Sequence, residues 1–285
     1  MATEKFWKLG IIGWPLGYSL SPLMHNVALK VASLKGEYKE YPVKPEDLER
    51  WLETEAPKLD GFNVTMPHKE AVFRFLEANG RIDPFAKLAS AVNTVTVGPD
   101  GLMGHNSDGE GFWAPLKKHV AGNLRVLLLG AGGAARAITT VLLLRGATGH
   151  LTIWNRTFAS AEKLEAEMRQ VNPSVPVTVA KDLSAMEKVG LIINATPSGM
   201  EGEGSLPLAV TGHLRRGQVV YDLVYEPRET ALVLAARKAG CKVITGDEML
   251  AAQGAVAFEI WTGAPAAKVL PAMKKALDDH FAARA

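Results

Sequence analysis

Cysteine is nearly absent: Cys241 is the only one. That excludes an internal disulfide and a multi-thiolate metal site, and it fits a reducing compartment. An excess of one charge is missing too, because 32 Lys and Arg face 30 Asp and Glu for a formal +2. So small a surplus points to neither nucleic acid nor an anionic membrane as partner. No apolar run approaches the roughly 20 residues that span a bilayer. The best candidate, residues 126–135, is rich in glycine and is ended by Arg136. Residues 1–6 are mixed in charge, and nothing after them has a signal-peptide core. Internal repeats and low-complexity linkers are lacking as well. These absences predict a soluble, cytoplasmic protein.

What remains is an ordinary globular composition, 47% hydrophobic and 22% charged over 285 residues, enough for two domains. Residues 8–13 (KLGIIG) read as a buried strand. Ser21-Pro22 reads as an N-cap with proline at the first helical position, opening a helix that runs towards Leu34. Residues 38–43, 62–65 and 94–97 read as strands, residues 45–56 as a helix, and Pro67 as the opening of another. Alternation of this kind predicts an α/β layer with parallel strands.

A second α/β unit begins after Asn123. Residues 126–129 form an unbroken apolar run, as in a central parallel strand buried on both faces. Strands over 151–154, 191–195, 219–222 and 242–245 follow, with a helix at 158–170. From Asp247 onward the pattern is helical and is expected to pack back on the first domain. The predicted division is therefore 1–107 with 247–285, and 108–246, with a boundary helix near Asp108 and a cleft between two α/β domains.

Gly130-Ala131-Gly132-Gly133-Ala134-Ala135 lies between a buried strand and an apolar helix. Gly130, Gly132 and Ala135 fit the dinucleotide fingerprint. The first glycine permits the tight turn, the second admits the pyrophosphate, and the small third residue packs helix on strand. A plain strand-to-helix turn is the bland alternative. The next strand ends Trp154-Asn155-Arg156-Thr157, without the acid that accepts from a ribose 2′-OH about 20 residues on. A guanidinium and a hydroxyl match a 2′-phosphate instead, which selects NADP over NAD. An exposed, solvated Arg156 is the competing reading.

Polar clusters in the first domain fall at strand ends and helix starts. Ser19 and Ser21 precede a helix. Asn63-Val64-Thr65-Met66-Pro67-His68-Lys69 spans a strand-to-helix junction, and Asn93-Thr94 and Asn106-Ser107-Asp108-Gly109 add amides and a carboxylate. Singly each has an ordinary explanation: Ser21 and Asp108 as N-caps, Lys69 as a solvated helix lysine, Asn93 as a turn former.

In this order the motifs resemble one family, the shikimate dehydrogenases, over nearly the whole chain. The serine motif is matched by Ser19, Ser21, Pro22, His25 and Asn26, and the Asn-Val-Thr-x-Pro-x-Lys motif by residues 63–69. The Asn-Thr pair is Asn93-Thr94, and Asn-Thr-Asp-Gly appears with Ser107 in the threonine place. The glycine loop, Asn155-Arg156-Thr157, residues 194–199 (NATPSG), Asp222-Leu223-Val224-Tyr225, and residues 246–250 leading to Gln253 complete it. Tyr18 departs from the histidine many members carry before the first serine, where it is expected to tune substrate entry without removing activity.

The resemblance implies NADP-dependent reduction of 3-dehydroshikimate to shikimate, in the route to chorismate and the aromatic amino acids. It implies Lys69 and Asp108 as the catalytic pair. Ser19, Ser21 and Tyr225 would hold the substrate carboxylate, while Thr65, Asn93 and Gln253 would read ring hydroxyls. Gly130 to Ala134, Asn155, Arg156, Thr157, Thr196, Gly246 and Met249 would hold NADP. A small-molecule substrate is the expected partner, and a homodimer is compatible with the resemblance. The rival readings are a quinate/shikimate dehydrogenase of broader substrate and cofactor use, and a non-catalytic NADP-sensing relative.

Overall fold

A computed structural model describes residues 5–17, 19–120, 122–182, 188–204, 206 and 208–284. In chain order the first elements are β1 (Phe6–Gly13), α1 (Ser21–Val31), β2 (Lys35–Pro42), α2 (Leu48–Thr54), β3 (Gly61–Val64) and α3 (Lys69–Asn79). Then come β4 (Arg81–Ile82), α4 (Pro84–Ala89), β5 (Thr94–Gly98), β6 (Gly101–His105) and α5 (Asp108–Leu116). The remainder is β7 (Leu124–Leu129), α6 (Gly133–Leu144), β8 (Thr148–Trp154), α7 (Phe158–Val171), β9 (Val177–Val179) and β10 (Leu191–Asn194). It closes with α8 (Leu208–Thr211), β11 (Val219–Asp222), α9 (Ala231–Lys238), β12 (Lys242–Ile244), α10 (Gly246–Thr262) and α11 (Ala266–Ala282).

Two compact units result, Met1–Gly111 with Ala251–Ala285, and Phe112–Leu250. The divisions fall inside α5 and α10, a few residues later than positions 107 and 246, because helices rather than loops carry the chain between units. Among the described residues no helix is long and apolar enough to cross a membrane.

The first unit holds a sheet in the order β2-β1-β3-β5-β6-β4. It corrects the expectation of a parallel layer. β1 is parallel to β2 and β3, but β5 runs antiparallel to both β3 and β6. The pairing of β5 with β6 follows from a two-residue hairpin loop, Pro99-Asp100, between Gly98 and Gly101, the latter at φ +91. The core places Ile12, Phe62 and Val64 of the sheet against Leu48 and Leu52 of α2 and Val72 and Leu76 of α3. Each such side chain contributes about 1.5–3 kcal/mol on burial. α11 packs on α1.

Several local boundaries also differ. The stretch 45–56 is a 3-10 turn over Pro45–Asp47 followed by α2, which ends at Thr54 before Pro57. α3 starts at Lys69 rather than Pro67, after a turn closed by His68 N–H to Thr65 O at 2.9 Å. α1 stops at Val31, with Ser33 at φ +58 just beyond it. Tyr18 lies outside the described residues.

The second unit is parallel throughout, in the order β12-β11-β10-β7-β8-β9. This is the doubly wound order, whose direction reverses between β7 and β10. Ligands in such sheets bind beyond the carboxyl ends of the strands at that reversal. Leu127, Leu129, Ile192 and Val220 pack here against Leu232 and Ala236 of α9.

Candidate active site

The sheet of the first unit brings its polar motifs to one edge. Asn63 pairs with Thr94, and Thr94 with His105, across two antiparallel ladders. The end of β3, the start of β5 and the end of β6 therefore meet, carrying residues 65–69, Asn93 and residues 106–108. Backbone bonds tie the three segments: Val64 N–H donates to Asn93 O at 2.8 Å, and Asn93 N–H to His105 O at 3.1 Å.

Lys69 projects from the first residue of α3, and its Nζ donates to Asp108 Oδ2 at 2.6 Å. The side chains are 17% and 6% exposed, so the pair is largely withdrawn from water. Asn93 Nδ2 donates to the other carboxylate oxygen, Oδ1, at 2.8 Å and also meets Ser107 Oγ at 3.0 Å. Asn93 Oδ1 in turn accepts from Ser107 N at 2.7 Å and Thr94 Oγ1 at 3.0 Å. Ser107 Oγ donates to Gln253 Oε1 at 3.4 Å. Lys69, Asp108, Asn93 and Gln253 thus share one network, and Asn93 is a buried organiser rather than a turn former.

Two capping assignments are corrected. The N-cap of α1 is Leu20, and Ser21 is the first helical residue. Ser19 Oγ accepts from Ser21 N–H at 3.3 Å, so the upstream serine serves that helix start. Asp108 likewise opens α5, and its own N–H donates to Asn106 Oδ1 at 3.0 Å. The carboxylate of Asp108 is left for Lys69 and Asn93.

Sequence reasoning gave no role to Asn63 or Tyr38. Asn63 Nδ2 donates to Asn93 O at 3.1 Å and Thr94 Oγ1 at 3.2 Å, which turns its Oδ1 towards Tyr38. Tyr38 is buried, which pushes its hydroxyl well above the ordinary phenol range, and it donates to that Oδ1 at 2.7 Å. A chain of hydrogen bonds therefore runs from Tyr38 through Asn63, Thr94 and Asn93 to Asp108 and Lys69. The available signal was an amide in β3, whose four residues are all buried, since such a group requires partners. Thr65 follows β3 half-buried, its N–H donating to Ile12 O at 2.9 Å.

In the second unit Gly130 takes φ +114. A Cβ there would lie 2.9 Å from Ala195 O and 3.2 Å from Thr196 Cγ2, so the glycine loop and the loop bearing Thr196 touch. Gly132 is the N-cap of α6 and has nothing within 4 Å of an added Cβ, which leaves open space where backbone must approach a phosphate. Gly133 and Ala134 form the first turn of α6, which carries no acid, and Ala131 precedes it half-buried. Ala135 is fully buried, as close packing requires. Arg136 is buried too and pairs with Glu167, pinning α6 to α7.

Arg156 is exposed at the end of β8, with no partner among the described residues. Thr157 is the N-cap of α7 but makes no side-chain cap bond, while Asn155 Nδ2 donates to Thr157 O at 2.9 Å. A guanidinium and a hydroxyl are therefore both uncommitted, as a 2′-phosphate site demands. Gly246 opens α10 where a Cβ would collide with Leu223 O, and Met249 is buried one turn on. Tyr225 is half-buried in the same unit, beyond β11.

Three family profiles match this chain. The shikimate dehydrogenase substrate binding domain covers residues 11–95, the shikimate/quinate 5-dehydrogenase profile 116–201, and the shikimate 5′-dehydrogenase C-terminal domain 246–277. A shikimate dehydrogenase (NADP(+)) of Geobacter metallireducens is 40% identical over 270 residues, 92% of this chain and 93% of that protein. Among solved structures, a shikimate dehydrogenase in complex with NADP+ has a TM-score of 0.86 at 36% identity, covering 99% of this chain and 98% of that one. The shikimate 5-dehydrogenase of Thermus thermophilus, in complex with NADP(H) and shikimate, has a TM-score of 0.81 at 33% identity, covering 95% and 99%.

Proposed function

The chain belongs to the shikimate dehydrogenase family, and from that premise we infer that it interconverts 3-dehydroshikimate and shikimate with NADP. Its first unit is the substrate domain and its second the NADP domain. The observation that carries the reading is the Lys69–Asp108 pair at 2.6 Å, fixed from behind by Asn93.

Reduction of a ketone puts negative charge on its oxygen. The Lys69 ammonium stabilises that charge, and a proton from the pair completes the alcohol. Asp108 holds the ammonium in place. The two groups share one hydrogen-bond network with Asn93. Ser19, Ser21 and Tyr225 bind the substrate carboxylate, and Thr65, Asn93 and Gln253 bind its hydroxyls. A site built on such contacts rejects analogues that lack a hydroxyl, because its own polar groups are then left unpaired.

NADP, when bound, supplies or takes the hydride. The glycine loop and the start of α6 hold its pyrophosphate, Arg156 and Thr157 its 2′-phosphate, and Asn155, Thr196, Gly246 and Met249 complete the contact. The protein acts in the cytoplasm. Light scattering reads its assembly, with twice the 30.6 kDa chain mass supporting a homodimer.

An absorbance assay for reduced nicotinamide tests the reading, with shikimate and quinate each offered with NADP and NAD. Shikimate with NADP is expected to lead by a wide margin in kcat/KM. Equal or better turnover of quinate with NAD overturns the assignment, and absence of turnover with all four pairs favours a non-catalytic NADP-binding role.

A further inference from the structure

Asp222 ends β11 and is fully buried, yet no cation pairs with it among the described residues. Its oxygens are met by neutral donors instead. Asn194 Nδ2 donates to Oδ1 at 2.8 Å, Val224 N–H to the same oxygen at 3.2 Å, and Thr230 Oγ1 to Oδ2 at 2.5 Å. Burial pushes this carboxyl above its usual range, and the bonds from Thr230, Val224 and Asn194 oppose that push.

The directions of these bonds are fixed. Asn194 Nδ2 also donates to Ser198 O at 3.1 Å, and a carbonyl can only accept. Asn194 Oδ1 therefore faces Thr196, accepting from its N–H at 3.1 Å and from its Oγ1 at 2.6 Å. Thr230 Oγ1 accepts from Val233 N–H at 3.1 Å as the N-cap of α9, which leaves its own proton for Asp222. One carboxylate thus grips two loops. Through Asn194 it holds loop 195–199, which carries Thr196. Directly, it holds both ends of loop 223–230, which carries Tyr225.

We propose that Asp222 is a positioning residue that locks the Thr196 loop and the Tyr225 loop into one arrangement, so that cofactor and substrate contacts are set together. The proposal rests on the reading above, in which Thr196 meets NADP and Tyr225 the substrate carboxylate. A hydrophobic residue at 222 would fill the space but hold neither loop. The carboxylate is needed because three donors converge on it, and an acceptor-only group with two oxygens satisfies them all. None of these bonds reaches Lys69 or Asp108, so proton transfer is untouched.

The test uses the full-length protein and three variants, Asp222→Asn, Thr230→Val and Thr230→Ser. Equilibrium binding of NADPH is followed by its fluorescence, steady-state kinetics are run with shikimate and NADP+, and thermal melts control for folding. Asp222→Asn puts an NH2 where one of the three donors points. It should weaken NADPH binding and raise the shikimate KM by about tenfold each, while kcat changes less than about threefold. Thr230→Val should move both constants the same way, and Thr230→Ser, which keeps the hydroxyl, should restore them. If Asp222→Asn does not fold, the Thr230 pair decides alone. Constants within about twofold of the parent in the folded variants overturn the proposal, as does a lowered melting temperature with unchanged constants. A parent protein that turns over no shikimate defeats the functional reading, and NADPH binding then still tests the hold on the Thr196 loop.

Discussion

Asn93 donates to the one oxygen of Asp108 that Lys69 leaves free, so the carboxylate is held from both sides at 2.8 and 2.6 Å. Asn93 is itself buried and fixed by Thr94 and Ser107. Asn93→Ala would remove a donor from a buried carboxylate and leave a small cavity. The loss of a buried partner costs about 1–3 kcal/mol. We expect a lowered melting temperature together with a fall of tenfold or more in kcat/KM for shikimate. An unchanged melt and unchanged kinetics would show that Lys69 alone orients Asp108.

Arg156 is exposed, unpaired among the described residues, and placed at the end of β8. Only NADP carries the phosphate it would meet. Arg156→Ala should therefore raise the KM for NADP by roughly tenfold to a hundredfold, the worth of a charge-assisted contact of ~1.5–3 kcal/mol. The KM for NAD should hardly change. Equal weakening of both cofactors would make Arg156 a structural residue and remove the basis for cofactor choice.

The two units were not equally legible in the sequence. Residues 126–129 are apolar without a break, and that pattern belongs to a strand covered on both faces, which β7 is. The first unit misled because β5 and β6 form a hairpin, and a pattern of alternating elements does not state the sense of pairing. Gly-Pro-Asp-Gly at 98–101 is the sequence feature that marks this hairpin. Ser19 and Ser21 are chemically alike, so which of them serves the helix start depends on the backbone at Leu20 rather than on residue type. Ser107 and Gln253 stand 146 positions apart, and only the fold of the first unit brings them together. By residue type alone Asp108 suits a helix cap as well as the ion pair that the resemblance implies. In the structure its two oxygens are engaged by Lys69 and Asn93.

His25 gives a pH-dependent prediction. Its ring is fully buried and stacked on Tyr38 at a centroid distance of 4.3 Å. Burial depresses its pKa from 6.5 to about 3. Between those values the unfolded chain takes up a proton that the folded protein refuses. Stability therefore rises with pH across that window and is lost as pH falls through it, at ~1.4 kcal/mol per pH unit. His25→Phe keeps a flat apolar ring and removes the titration. Urea unfolding at pH 6.5, 5.5 and 4.5 should give a shallower loss for the variant by about that slope. Parallel losses in the two proteins would mean that His25 is not the group concerned.

The Lys69–Asp108 pair gives the sharpest test of the proposed function. If Lys69 acts on charge that develops only during reduction, its removal lowers turnover far more than it weakens binding of the ground state. Lys69→Ala should cut kcat by at least ~100-fold, the lower end for general acid–base catalysis, with a small change in the shikimate KM. Asp108→Asn preserves size and the place that Asn93 and Lys69 surround, but removes the charge that holds the ammonium, so turnover should again fall severely. The double variant should be little worse than either single one, since groups that act as a unit are strongly non-additive. Stability must be measured alongside, because removing one partner of a largely buried ion pair costs several kcal/mol, about 3–5 in the interior. Loss of a helix cap is not a competing cause, as Asn106 and Ser107, not Asp108, accept at the start of α5: Asn106 Oδ1 from Asp108 N–H and Ser107 O from Gly111 N–H. A folded Lys69→Ala protein with nearly full activity would defeat this mechanism, because no other group is then needed to answer the charge on the substrate oxygen.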